Sequence, residues 1–280
     1  MRLITWNIQW GKGCDGVVDP VRIARDIAAM GGADILCFQE ISSHFDALDG
    51  GVDQEEIFAK LFPDHRAVFR PAVERHEGGG IVRRFGNMTL SRFPVRHVSN
   101  HLLPWPSAAS IQSMRRQALE TLIETPSGPI RVTNTHLEYH SAEQRRAQVD
   151  RLLLLQAEAA SGETPIQQSD VSEPYAANAL VKSAILCGDF NLEPSDPVYS
   201  LLNQSARGDA LYRDSWRIVH PDRPHAPTCG IFDSQQWAQG PHCRDFIFVT
   251  GDLGRAIKEV VVNGQTASSD HQPMVIDLRL

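Results

Sequence analysis

Apolar residues in this chain fall in short runs that alternate with a few stripes of helical period. Runs of four to seven residues bounded by turn formers predict strands. They lie at 3–8, 34–39, 67–71, 88–91, 118–124, 130–136, 184–187, 246–249, 258–262 and 275–278. The helical stripes carry their own punctuation. Asp19 stands before Pro20, Ile23, Ile27 and Met30 form one face, and Gly31-Gly32 ends it; an acceptor, a proline at the first position and a terminal glycine are the ordinary helix signals. Asp53 with Glu56, and Ser141 with Gln144, have capping-box spacing, the second opening a stretch through Val149, Leu152, Leu153 and Leu155. Pro126-Ser127-Gly128 between two strand patterns predicts a hairpin. Many strands with few helices point to sheets as the framework, with helices packed outside.

Composition narrows this. The 280 residues are 42% hydrophobic and 22% charged, a globular balance that excludes disorder, collagen and coiled coil. The length admits two small domains or one large one. Lys and Arg total 27 against 34 Asp and Glu, a net charge of -7, so no basic excess announces nucleic acid or an anionic membrane. No apolar run approaches the ~18 residues of a membrane span, and the first ten residues lack an export signal. Five cysteines (Cys14, Cys37, Cys187, Cys229, Cys243) with no CxxC pair fit neither a disulfide framework nor a zinc ribbon; reduced thiols in a cytoplasm are the expectation. A stretch rich in Ser, Glu, Gln and Pro near 161–178 predicts a mobile insertion.

The chemistry lies where apolar strands end. Leu3-Ile4-Thr5-Trp6 runs into Asn7, Ile35-Leu36-Cys37-Phe38 into Gln39-Glu40, Val132-Thr133-Asn134-Thr135 into His136, and Ile185-Leu186-Cys187-Gly188 into Asp189-Phe190-Asn191, while Ser269-Asp270-His271 precedes the last run. One Asp or Asn after a strand is usually a turn former. Five such junctions together carry the parts of a hydrated divalent-cation site. Glu40, Asp270 and the Asn7 amide are hard oxygen donors suited to Mg²⁺ or Mn²⁺, and Asp189, His136 and His271 are groups that can orient water and neutralise a phosphoryl oxygen. A thiol hydrolase is disfavoured, since Cys37 and Cys187 sit inside apolar runs.

These residues resemble the endonuclease/exonuclease/phosphatase superfamily, which holds DNase I-like nucleases, abasic-site endonucleases, inositol polyphosphate phosphatases and neutral sphingomyelinases. The resemblance runs through Thr5-Trp6-Asn7-Ile8, Gln39-Glu40, Gly86-Asn87-Met88-Thr89-Leu90-Ser91-Arg92, Thr135-His136-Leu137, Gly188-Asp189-Phe190-Asn191, Arg244-Asp245-Phe246-Ile247-Phe248 and Ser269-Asp270-His271-Gln272-Pro273, in that order. It implies one domain over 1–280 with a four-layered α/β sandwich: two mixed, mainly antiparallel sheets packed face to face with helices outside. It implies Glu40 as main ligand of a Mg²⁺ (or Mn²⁺) cofactor with Asn7 beside it, and Asp270 as a ligand or an acid behind one. His271 would contact the scissile phosphate, oriented by Asp245. Asp189 would orient or deprotonate water, with the base left open between Asp189 and a histidine. Asn191 and His136 would touch phosphoryl oxygens.

Asn87 either polarises the site or closes a turn, and Arg116 either faces substrate phosphate or belongs to a solvated Arg115-Arg116 pair. Gln9 stands where some nucleases of the superfamily carry an Asp. Arg145, Arg146 and Gln148 read as the outer face of a packed helix. The loops at 74–80, 102–113 with Trp105, and 228–243 with Trp237 are where specificity would lie. The expected activity is phosphodiester or nucleic-acid hydrolysis. A phosphatase for a small soluble phosphomonoester is the alternative, and a silent binding module on the same scaffold is disfavoured because no essential acid or histidine is missing. The expected partner is the phosphoester substrate, nucleic acid among the candidates, with no membrane span and no obligate protein partner.

Overall fold

A computed structural model describes residues 1–108, 110–161, 181–203 and 211–280. The expected insertion at 161–178 lies, apart from Ser161, outside the described residues. The first sheet contains β1 (Arg2–Asn7), β2 (Ile35–Ser43), β3 (Arg66–His76), β4 (Val82–Ser91), β11 (Ile257–Val262) and β12 (Met274–Leu278), in the order β11-β12-β1-β2-β4-β3. The second contains β5 (Val95–Leu102), β6 (Gln117–Thr125), β7 (Gly128–His136), β8 (Ala184–Asp189), β9 (Tyr212–Asp214) and β10 (Asp245–Thr250), in the order β5-β6-β7-β8-β10-β9. Among the described residues only β1–β2 and β7–β8 pair in parallel. The sandwich of two mixed sheets is therefore as the sequence implied, with ten expected strands extended and two added. Strand β5 was missed because it is a half-exposed edge with no clean alternation, and β9 because it has three residues.

Period-2 alternation builds the layers. Leu3, Ile35, Cys37, Ile185, Cys187, Ile247, Val249 and Ile276 point between the sheets and form one core. Their neighbours Ile4, Trp6, Leu36 and Phe38 point outward and bury Ile23, Ile27 and Phe58 of α1 (Pro20–Ala29) and α3 (Gln54–Leu61). On the other outer face Leu186, Phe246 and Phe248 meet Val149 and Leu152 of α4 (Ala142–Ala160). The caps form as read: Asp19 accepts from the Val21 N–H at 2.9 Å, Asp53 from Glu55 at 3.0 Å, and Ser141 from Gln144 at 3.2 Å. The reciprocal arms of the capping boxes are used elsewhere. Glu56 accepts from Lys60 at 2.6 Å, and Gln144 donates to the Pro106 carbonyl at 2.7 Å.

Toward one end the inward face turns from apolar residues to amides. There Gln39 Nε2 donates to Asn134 Oδ1 across the sheet interface at 2.8 Å, and Asn134 Nδ2 donates to the carbonyls of Phe38 and Met88 at 3.0 and 2.9 Å. Asn87, which the sequence left between two jobs, donates from Nδ2 to the Asn134 carbonyl at 3.1 Å. A buried amide left unpaired costs ~1–3 kcal/mol, so these bonds hold the sheets at one mutual register.

Gly188 allows the close pairing of β7 with β8. Its φ is +136°, and a Cβ there would lie 1.9 Å from the Thr135 carbonyl oxygen. Gly188→Ala is expected to lose on the order of 3 kcal/mol or more of stability through strain and overlap together, read as a lowered urea midpoint with an unchanged slope; an unshifted midpoint contradicts this packing.

Candidate active site

The inward row continues past the amide bridge into the candidate residues. In the second sheet His136 pairs with Asp189 and Asp189 with Asp245, so three candidates sit side by side on adjacent strands. Inward parity follows from Val132, Cys187 and Ile247, each an even number of residues away and each in the inter-sheet core. In the first sheet Asn7 pairs with Gln39. Glu40 should then point outward, beside Phe38. A β-bulge corrects this: Phe38 pairs with Met88 but Ile41 with Gly86, so β2 carries one extra residue, and Glu40 adopts φ +63°. Bulges re-aim side chains in this way. Glu40 therefore turns toward Asn7, whose Nδ2 donates to Glu40 Oε1 and to Asp189 Oδ2, both at 3.0 Å. The Asn7 Oδ1 accepts from the Gln9 N–H at 3.1 Å.

His271 enters from the segment before β12. Its Nδ1 donates to Asp245 Oδ2 at 2.8 Å, leaving Nε2 3.7 Å from Asp189 Oδ2. The segment is pinned by the Trp6 Nε1–H on the His271 carbonyl at 2.9 Å and by Ser269 Oγ on the Asn7 carbonyl at 2.7 Å. Asp270 accepts from Trp237 Nε1 at 3.2 Å. Asn191, at φ +51°, spends its Nδ2 on the Leu137 carbonyl at 2.9 Å and on His136 Nε2 at 3.0 Å. The carbonyl contact fixes the amide orientation, so His136 Nε2 is an acceptor and its proton sits on Nδ1, 3.8 Å from Glu40 Oε1.

Arg116 is buried, unlike the exposed Arg115, with its Nε 3.4 Å from Glu138 Oε2 and its Nη1 without a hydrogen-bond partner. The solvated-pair reading therefore fails for Arg116. A cavity of about 290 Å³ is lined by Glu40, Arg116, His136, Asp189, Asn191, Asp270 and His271. Asn7, Asp245 and Asn87 stand behind that surface. The remaining wall is Tyr139 and His140, which the sequence missed, with Gln236 and Trp237 of the 228–243 loop where specificity was expected to lie. Trp237 was read only as a loop aromatic, yet it is 2% exposed and meets the His271 ring edge-on at 5.6 Å. Tyr139 and His140 follow His136 by three and four residues, and only that proximity in the chain could have flagged them.

The electrostatics are those of an anionic hollow around one cation. Burial, then the charge of Asp270, pushes the Glu40 carboxyl up to about 7. Burial opposes charge on His271 too, but Asp245, Asp189 and Asp270 outweigh it and hold its pKa well above that of free imidazole. Burial and the positive charge of Arg116 drop His136 to about 3, leaving it neutral. Burial disfavours the Asp189 anion, yet the facing His271 lowers its pKa overall. Asp189, Asp245 and His271 each bring an atom within 4.8 Å of the others, close enough to hold a metal ion. The His271 Nδ1, however, is already given to Asp245. Glu40 and Asp270 both line the cavity, and the Asp270 charge is the second cause of the raised Glu40 pKa, after burial.

The family model described as Endonuclease/Exonuclease/phosphatase family matches residues 4–271. No curated protein sequence matches the chain. Among solved structures, a mannosyl-6-phosphatase from Bacteroides thetaiotaomicron VPI-5482 superposes with a TM-score of 0.68 at 17% identity, covering 100% of both chains. A 3′ phosphatase from Neisseria bound to a product DNA hairpin gives 0.61 at 18%, again over 100% of each. The human Nocturnin catalytic domain with a bound sulfate anion gives 0.62 at 22%, over 100% of this chain and 93% of that one. At these identities the likeness is one of fold.

A buried acid whose pKa rises from 4.5 to about 7 on folding binds more protons in the native state. Its contribution is therefore largest at acid pH and is lost as pH rises from about 4.5 to about 7. Chelated protein is expected to lose up to ~3 kcal/mol of stability over that window from Glu40, and Glu40→Gln to flatten the loss. Urea unfolding at a series of pH values checks this, and an equal slope in both proteins refutes it.

Proposed function

Because the chain belongs to the endonuclease/exonuclease/phosphatase family, whose members are phosphoester hydrolases, we propose that it hydrolyses a phosphodiester with the help of one or more divalent cations. The observation that carries this reading is the convergence of Glu40, Asp189, His136 and His271 on one cavity. Glu40, Asp270 and the remaining lone pair of Asn7 Oδ1 would hold Mg²⁺ or Mn²⁺, hard ions that favour oxygen donors. The ion supplies Lewis-acid neutralisation of charge on the phosphoryl oxygens.

The chain's own groups divide the remaining work. His271, protonated on both nitrogens, gives one proton to Asp245 as a fixed hydrogen bond and presents Nε2–H to a phosphoryl oxygen. Asp189 stays ionised, with Oδ1 accepting from the Asn191 N–H at 2.8 Å and Oδ2 from Asn7, and takes the proton of the attacking water. Asn191, its amide hydrogens already engaged, acts by orienting His136. Arg116 Nη1, buried and unspent, binds another phosphoryl oxygen, because a guanidinium fork suits phosphate.

One observation favours the phosphomonoester reading as second choice. Gln9 Nε2 donates to Gln236 Oε1 at 3.2 Å and Trp237 reaches Asp270, so the 228–243 loop walls one side of the cavity where a continuous strand would leave.

Hydrolysis of bis-p-nitrophenyl phosphate with Mg²⁺ or Mn²⁺ is expected, abolished by EDTA, and reduced on the order of 10²–10⁴-fold in Glu40→Ala, Asp189→Asn and His271→Ala. Plasmid DNA, RNA and p-nitrophenyl phosphate in parallel separate diesterase from monoesterase. Undiminished turnover by chelated His271→Ala refutes the mechanism.

A further inference from the structure

The segment that follows His136 is built more rigidly than packing requires. Tyr139 is 41% exposed and lines the cavity, yet its surroundings fix it. Arg145 Nη1 donates to the carbonyls of Glu138 and Tyr139 at 2.8 and 3.1 Å. The Arg244 guanidinium lies 5.4 Å from the Tyr139 ring centre and 5.0 Å from that of Trp237, a cation–π arrangement. Arg244 is itself held by Nε on His242 at 2.8 Å and Nη1 on the Asn191 carbonyl at 3.3 Å. Trp237 and His140 then meet the Tyr139 ring edge-on at 6.0 and 4.8 Å.

The same segment aims Arg116. Glu138, whose Oε2 faces Arg116 Nε, takes the His140 N–H on Oε1 at 2.9 Å and gives its own N–H to Gln148 Oε1 at 2.9 Å. Gln148, read from sequence as part of an outer helix face, is fully buried to make that bond. An immobilised, exposed, flat ring and an unspent guanidinium thus face one hollow. Holding an exposed ring in place costs side-chain entropy with little burial in return, which a ligand stacked on the ring would offset.

We propose that Tyr139, braced edge-on by His140, is a stacking shelf for a flat aromatic group carried by the phosphate ester whose phosphoryl oxygen Arg116 binds, making residues 138–140 the specificity element of the site. This rests on the phosphoester reading above and adds the chemical class of what is attached to the phosphate.

The test is calorimetric binding to the intact chain with excess Mg²⁺, using adenosine 5′-monophosphate, p-nitrophenyl phosphate and ribose 5-phosphate. The two ring-bearing phosphates are expected to bind on the order of tenfold tighter than ribose 5-phosphate, as base–aromatic stacking would give. Tyr139→Ala is expected to erase that gap and Tyr139→Phe to keep it. A preference for adenosine 5′-monophosphate over p-nitrophenyl phosphate identifies a nucleobase shelf, and equal affinity for the two a general aromatic one. Equal binding of all three phosphates, or a gap surviving Tyr139→Ala, overturns the shelf while leaving the phosphoester reading intact. Absence of binding by all three overturns the shelf and the phosphomonoester alternative, and the phosphodiester reading is then decided by the bis-p-nitrophenyl phosphate assay.

Discussion

The bond from Gln39 to Asn134 is the contact on which the site depends. Two apolar sheet faces pressed together have little to set their sliding register, because burial is nearly non-directional. Amides buried 0% exposed on both strands, bonded to each other and to the Phe38 and Met88 carbonyls, make one register far better than its neighbours. Asn7 and Glu40 come from one sheet and His136, Asp189 and Asp245 from the other. Their 3 Å contacts exist only if the sheets are locked within a fraction of an ångström, and the lock lies one turn of side chains below them.

A second constraint is electrical. Glu40, Asp189, Asp245 and Asp270 are all gathered into the interior end of the sandwich, with His271 the charged imidazole among them. Concentrating carboxylates weakens a fold, and burial together with the Asp270 charge raises the Glu40 pKa to about 7. Under the proposed function the arrangement suits a protein that meets a cation and then a phosphate, since the same carboxylates would attract the ion. The net charge of -7 therefore does not argue against an anionic substrate.

Much of this was legible in the chain. Period-2 runs placed ten strands, Asp19-Pro20 and Ser141 placed helix starts, and polar strand ends pointed to one site because Asn7, His136 and Asp189 each sit at the end of an inward-facing alternation. What sequence could not supply was set by contacts distant in the chain. Parity alone sends Glu40 outward; only the bulge against Gly86 turns it in. The Arg115-Arg116 pair looks symmetrical on paper, and the structure separates them, one stacked at 5.1 Å on Trp105 and exposed, the other buried beside Glu138. Tyr139 and Trp237 carry no motif, and become part of the wall because the 228–243 loop returns across the site. The glutamines of α4 look like a solvated face, yet Gln144, Gln148 and Gln156 are buried and bonded to neighbouring chain segments.

The central claim is that Glu40, turned inward by the bulge and raised in pKa by burial and by Asp270, marks the cation position. Anomalous scattering from a crystal soaked in Mn²⁺ locates the ion directly. A strong peak within bonding distance of a Glu40 oxygen, with Asn7 or Asp270 beside it, is the predicted result. A peak bonded instead between Asp245 and His271, or none at saturating Mn²⁺, would contradict it.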